Sequence, residues 1–242
     1  EDISSYKVSL EWTFGAMGAS VMPGRCVASS CHVTVRNETG FFSKLNSSSP
    51  FYGQTVPGMA LRITMTIAGT SSEVVVYQGE LQSIEEQQGI DKNESTATLR
   101  AVGILDRVNK KEIAIAMATD STTGTLIGQI CDSVGITAGQ RQIDTGQTTV
   151  SRYWTERKSA LSTVRDLELL ELGLVRESKD GKFVFDDRAH RTGASISATY
   201  TDNDADANLR MTGLRVVLSA NNIYNIIRVN AHTWDVTDEV DL

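Results

Sequence analysis

The chain has 242 residues, with 23 Lys+Arg against 30 Asp+Glu, a net charge of −7. That balance excludes a protein built to grip nucleic-acid phosphates, which needs a basic face. Hydrophobic residues at 40% and charged residues at 22% exclude a globally disordered chain. With 25 Thr and 23 Ser beside 19 Gly and only 3 Pro, the composition favours strands and turns over a helical bundle. From Tyr6 to about Arg107 the period is two, as in half-buried strands. Lys7–Trp12, Cys31–Arg36 and Leu61–Ile67 alternate polar with apolar, and Val74–Tyr77, Gln78–Ile84 and Ser95–Val102 continue the series. Five or six short strands at this spacing predict an antiparallel barrel or sandwich. The stretch from Asn37 to Gly58 breaks the alternation with Asn, Gly, Ser and Pro and reads as a long surface excursion.

The period then changes to helical. Leu126, Ile127, Ile130, Cys131 and Val134 recur after a Ser-Thr-Thr-Gly start, and Gly135 is a stop signal. Arg141 to Trp154 is an extended Gln- and Thr-rich segment. A second helix is expected from about Lys158 to Leu172, with Leu161, Val164, Leu167 and Leu170 on its apolar side and Gly173 interrupting it. Lys179-Asp180-Gly181-Lys182 is a hairpin turn leading into the strand Lys182–Asp186, whose alternation puts Phe183 and Phe185 on one face, toward that helix. Alternation returns after Arg191, in Ala194–Tyr200, Leu214–Leu218 and Ile226–Val229. The fold class is mainly β with α+β: an antiparallel β-barrel over residues 1–108, an inserted or following α/β domain with a helix–hairpin over 109–193, and strands over 194–242 that complete the first barrel or start a second.

Signals of chemistry are sparse. Cys26, Cys31 and Cys131 cannot all pair and show no CxxC; with three histidines they offer no zinc spacing, so buried or free thiols and no metal are expected. His32, His190 and His232 sit in no nucleophile–base motif. Glu85-Glu86 and Asp186-Asp187 are adjacent on extended chain, which sends neighbouring side chains to opposite faces and is poor geometry for a carboxylate dyad. Asp202-Asn203-Asp204-Ala205-Asp206 opens like a calcium loop, but Ala207 replaces the required glycine and Gly213 the closing Glu. Three Asn-x-Ser/Thr triplets, at Asn37, Asn46 and Asn93, fit the glycosylation sequon without a secretory signal beside them. No GxGxxG or Walker A pattern is present, and no apolar run approaches the ~20 residues of a membrane span. The chain opens Glu-Asp without Met, as a trimmed piece of a longer chain does. Residue chemistry alone thus reaches a β-rich binding or structural protein.

Three stretches carry a resemblance. Cys31–Phe42, running on through Asn46-Ser47-Ser48-Ser49-Pro50-Phe51-Tyr52 to Pro57-Gly58, is similar to a strand, N-x-x-G-x-F turn, N-x-S-S-P-Y-Y loop and P-G strand entry. Ile143-Asp144-Thr145-Gly146-Gln147-Thr148-Thr149-Val150 is nearly a phrase of siphophage tail proteins. Ala160–Leu170 followed by Asp180-Gly181-Lys182-Phe183-Val184-Phe185-Asp186-Asp187-Arg188 resembles a helix and D-G-x-L-x-F-x-D-R hairpin. Together they resemble phage minor tail proteins and, more distantly, hub proteins of contractile tails and type VI secretion spikes. Phe51 in place of a Tyr and Leu172-Gly173-Leu174 in place of a more acidic helix end are departures.

The resemblance implies a structural virion protein of the tail tip with no active site and no cofactor. It implies a homo-oligomeric ring, trimer or hexamer, below the tail tube, with tail tube, distal tail, tape measure and fibre proteins as partners and DNA only in transit. On that reading Phe41, Phe42, Asn46, Pro50, Phe51 and Tyr52 form an interaction loop. A DNA conduit calls for a neutral or acidic wall, with Glu80, Glu85 and Asp202 as candidate lumen-facing acids. The readings from other classes are a cell-wall-degrading tail module, which needs a cleft with a matched acid and base, and a carbohydrate-binding receptor module, which needs clustered exposed aromatics.

Overall fold

A computed structural model describes residues 2–16, 26–54, 57–66, 73–90, 94–192, 200–201 and 209–210. The chain divides into two compact units, Glu1–Ser195 and Ile196–Leu242. In the second, the described elements are β11 (Tyr200–Thr201) and β12 (Leu209–Arg210), paired in parallel. The Asp202–Asp206 loop and the later alternating segments lie outside the described residues.

The first unit has two hydrophobic cores. The N-terminal one is wrapped by a five-stranded antiparallel sheet of β1 (Lys7–Ala16), β2 (Cys26–Arg36), β3 (Ala60–Thr66), β4 (Glu73–Gln87) and β5 (Thr96–Val102), in the order β1-β2-β5-β4-β3. The two-residue period does what it predicts: Val33 faces Leu99, Val35 faces Ala97 and Cys31 faces Ala101, all buried, while Thr34 and His32 turn outward. Leu81 opposite Ala101 and Leu61 opposite Gly79 carry the same layer onward. The sheet curls into a half-barrel. Leu10 of edge strand β1 and Ile63 of edge strand β3 pack against one core, and both edges line a groove of about 410 Å³ rather than pairing with each other.

The second core lies within the α/β part. It contains α1 (Ile104–Asn109), a long two-stranded ribbon of β6 (Glu112–Thr122) and β8 (Thr149–Ser159), α2 (Thr123–Val134), α3 (Ala160–Glu171), and a small sheet in the order β7-β10-β9, from β7 (Arg141–Ile143), β9 (Leu174–Glu177) and β10 (Phe183–Asp186). Helix α4 (Arg188–Thr192) closes the unit. Helix α2 starts at Thr122, whose hydroxyl accepts from Thr125 N, and ends at Gly135 with φ 80°. Helix α3 ends differently from the sequence expectation. Its left-handed cap is Leu172, φ 55°, and Gly173 is used for packing, since a Cβ there would sit 2.8 Å from Asp186 O and from the Phe185 ring. Phe183 and Phe185 are buried in the same core as Val164 and Leu167 of α3, with Leu161 packed against that core, and Val184 on the opposite face is buried as well.

Candidate functional site

The motif loop after β7 is where the chain concentrates its polar chemistry. β7 and β10 are parallel neighbours with Ile143 opposite Phe185, so Asp144 and Asp186 emerge side by side at the carboxyl ends of the two strands. One turn of α4 then brings His190 back over both. Its Nδ1 lies 3.0 Å from Asp144 Oδ2 and its Nε2 3.8 Å from Asp186 Oδ1. Asp187 N donates to the same Asp144 oxygen at 3.2 Å, and Asp186 Oδ2 accepts from Arg176 Nε at 2.7 Å.

The loop itself is anchored from the other side. Gly146, φ 84°, lies against Thr123, and Gly124 N donates to Thr145 O at 3.0 Å. A Cβ on Gly124 would collide with the carbonyls of Asp144 and Thr145, so the loop and the start of α2 fit only with both glycines. Glu171, fully buried at the end of α3, accepts from Thr123 Oγ1 at 2.8 Å, Thr148 N at 2.9 Å and Gln147 N at 3.0 Å, with Arg188 Nε at 3.7 Å. Burial pushes the Glu171 carboxyl up, but these hydrogen bonds outweigh it and hold the group below the usual carboxylate range. Gln147 Nε2 donates to Asp187 Oδ2 at 2.8 Å; that bond, opposed by burial and helped by the backbone N–H groups of His190 and Ala189, lowers Asp187 too. One ligand atom from each of Asp144, Asp186 and His190 lies within 4.8 Å of the others, a mixed oxygen and nitrogen set able to hold a metal ion.

The other sequence-expected residues fall elsewhere. Part of the Asn37–Gly58 excursion packs back against its own sheet. Phe42 is fully buried in the half-barrel core, Phe41 and Phe51 pack against it, and Tyr6 stacks on Phe41 at 5.1 Å. Leaving these rings in water costs more than folding the loop back onto its own sheet. Asn46 is occupied by the loop, donating to Thr39 O and Gly40 O, and Pro50 and Tyr52 are exposed. Glu80 is ion-paired with Arg107 and Glu85 with Arg100, so each acid stands beside a cation; Asp202 lies outside the described residues. Cys31 and Cys131 are buried, and burial pushes both thiols up to about 12, which leaves them poor nucleophiles. Asp186 and Asp187 are buried and bonded to separate partners.

Sequence reasoning passed over the Asp144–Asp186–His190 group because its members come from distant stretches. The one local signal was Asp186 and His190 four residues apart, with the parallel strand pairing needed to bring in Asp144.

No protein-family model matches the chain, and no curated protein matches it. Among solved structures the chain is similar in fold to a 43 kDa tail protein of prophage MuSo2 from Shewanella oneidensis, at 14% identity, covering 75% of this chain and 48% of that one, with a TM-score of 0.43. It is also similar to a tail protein from Neisseria meningitidis, at 9% identity, covering 74% of this chain and 46% of that one, TM-score 0.47. A third is an Escherichia coli component of the type VI secretion system described as structurally similar to bacteriophage T4 tail proteins, at 9% identity, covering 75% and 50%, TM-score 0.43. The chain spans about half the length of each of these structures.

Proposed function

We propose that the chain is a structural subunit of a phage tail tip, working as a hub-like building block rather than as an enzyme. The observation that carries this reading is the agreement of motif and architecture. The three stretches that resemble phage tail proteins are the joints of this fold: the strand and folded-back loop of the half-barrel, the loop that locks α2 to α3, and the helix–hairpin of the second core. Asn46, Gln147 and Asp187 in these stretches hold segments together by hydrogen bonds, as suits a structural part. On this reading the protein belongs to the virion, forms rings as a trimer or a hexamer, and binds other tail proteins through its outer faces. Residues 194–242 then supply further barrel strands. If the ring surrounds passing DNA, its inner wall carries acidic or neutral groups; Glu80 and Glu85, each beside an arginine, make that wall closer to neutral than strongly acidic.

Light scattering coupled to size exclusion, followed by negative-stain microscopy of the purified protein, tests this. Rings of threefold or sixfold symmetry are expected, either alone or on mixing with tail-tube protein. A monomer that never assembles and that hydrolyses isolated cell wall would overturn the structural reading in favour of the enzymatic one.

A further inference from the structure

We propose that Asp144, Asp186 and His190 form a binding site for one divalent transition-metal ion of the zinc class, which pins α4 to the carboxyl ends of β7 and β10. The topology builds the donor set. The parallel pairing of β7 with β10 puts two carboxylates next to each other, and the four-residue step from Asp186 to His190 lays an imidazole over them. Each carboxylate is held by an outer partner that leaves an oxygen for a metal, and the two ring nitrogens of His190 face those carboxylates. Arg176 Nε engages Asp186 Oδ2 at 2.7 Å, whereas Asp186 Oδ1 has Arg176 Nη2 only at 3.5 Å; Asp187 N fixes Asp144 through Oδ2. Such outer contacts orient ligands and raise their basicity.

Charge supplies an independent reason for a cation. Asp144, Asp187 and Glu171 belong to one hydrogen-bonded network, in which Gln147 links Glu171 to Asp187; Asp186 joins it through His190 Nε2 at 3.8 Å, and among the described residues the arginines beside these carboxylates are Arg176 and Arg188. Among the described residues these four carboxylates share two guanidinium groups, and a dication at the Asp144–Asp186–His190 point would offset that deficit. The imidazole donor favours zinc, cobalt or nickel over magnesium and calcium, which prefer all-oxygen shells. With three protein ligands, water completes the coordination. The sequence reading expected no metal for folding; the ion inferred here adds stability to a unit that already has its two cores.

The test is calorimetric titration of the full chain with Zn²⁺, beside Mg²⁺ and Ca²⁺, in a Cys26→Ser background that removes the half-buried thiol. One saturable zinc site is expected, with no magnesium or calcium heat at equal concentration and a melting-temperature rise on the order of 5 °C at a hundredfold excess over Kd. His190→Ala and Asp144→Asn should each weaken zinc binding about a hundredfold or more, because even an outer partner is worth about 10–100-fold. His190→Gln is a second, milder variant, and circular dichroism checks that all remain folded. A Co²⁺ spectrum should lack thiolate charge-transfer absorption. No saturable zinc binding at millimolar metal, or binding that survives in folded His190→Gln and Asp144→Asn, would overturn the assignment.

Discussion

Replacing Glu171 with Gln perturbs the most connected buried group of the α/β core while nearly preserving its shape. The carboxylate accepts three hydrogen bonds, from Thr123 Oγ1, Gln147 N and Thr148 N, and its side chain is fully buried. An amide offers one acceptor oxygen and turns an NH2 group toward a backbone N–H. At least one buried donor is then orphaned, at about 1–3 kcal/mol, and the remaining bonds lose the extra strength of a charged acceptor. The expected loss is about 2–4 kcal/mol, a large part of a typical domain's stability. The pH dependence carries a sign. The folded carboxyl titrates below its ordinary value of about 4.5, so its contribution is fully present above that pH and is lost as pH falls through the lower folded value. Urea denaturation at pH 7 and at pH 4 reads both effects. The gap between wild type and Glu171→Gln should be wide at pH 7 and narrow in acid. A gap within 0.5 kcal/mol at pH 7, on the order of a surface substitution, refutes the claim that this carboxylate holds the loop.

Three further outcomes are expected. Phe183→Ala and Phe185→Ala, at two fully buried rings of the core that α3 shares, should each cost about 3–5 kcal/mol in urea unfolding; values near zero would mean the hairpin does not pack into that core. Phe42→Ala should cost a similar amount and reduce soluble monomer, whereas Tyr52→Ala, on an exposed ring, should leave stability within about 0.5 kcal/mol. Gly103→Ala should be destabilising, because a Cβ there displaces Ser29 Oγ and Glu177 Oε2, and with the latter its hydrogen bond from Ser29 N; a melting temperature equal to wild type would show that the joint can relax.

The half-barrel was legible because a sheet with one dry face imprints a two-residue period, and Val33, Val35, Leu99 and Leu81 sit where that period puts them. Helices α2 and α3 were legible from their apolar spacing and stop signals. α1 was not, since six residues hold too little periodicity, and β6 was obscured by Ala114, Ala116 and Ala118, which are small enough to suit either period. The folded-back loop illustrates a different limit. Phe41, Phe42 and Phe51 in a polar stretch announce burial, but hydrophobicity is non-directional and does not say whether the surface that covers them belongs to the same chain. The carboxylate network depends on one parallel strand pairing across about 40 residues, and no local pattern encodes it.

The two cores are joined by a half-buried carboxylate of the opposite electrostatic character to Glu171. Glu177, at the end of β9, accepts from Ser29 N at 2.8 Å through one oxygen and from Leu105 N at 2.6 Å through the other, while Arg165 donates to Cys26 O nearby. Strand β2 of the half-barrel and helix α1 of the second core are thus fixed to the same hairpin, which makes the joint stiff. Burial dominates here and raises the Glu177 carboxyl above its usual range, despite the hydrogen bonds from Ser29 and Leu105 that work the other way. A raised carboxyl contributes stability that is fully present below its unfolded value and is lost as pH rises through the folded one. Glu177→Gln, which keeps the shape but removes the ionisation, should therefore show a deficit against wild type that is larger at pH 4 than at pH 7. Glu171→Gln shows the reverse. Parallel urea titrations of the two variants put both carboxylates on one scale, and deficits that change in the same direction with pH would refute the opposed environments that separate the joint from the loop.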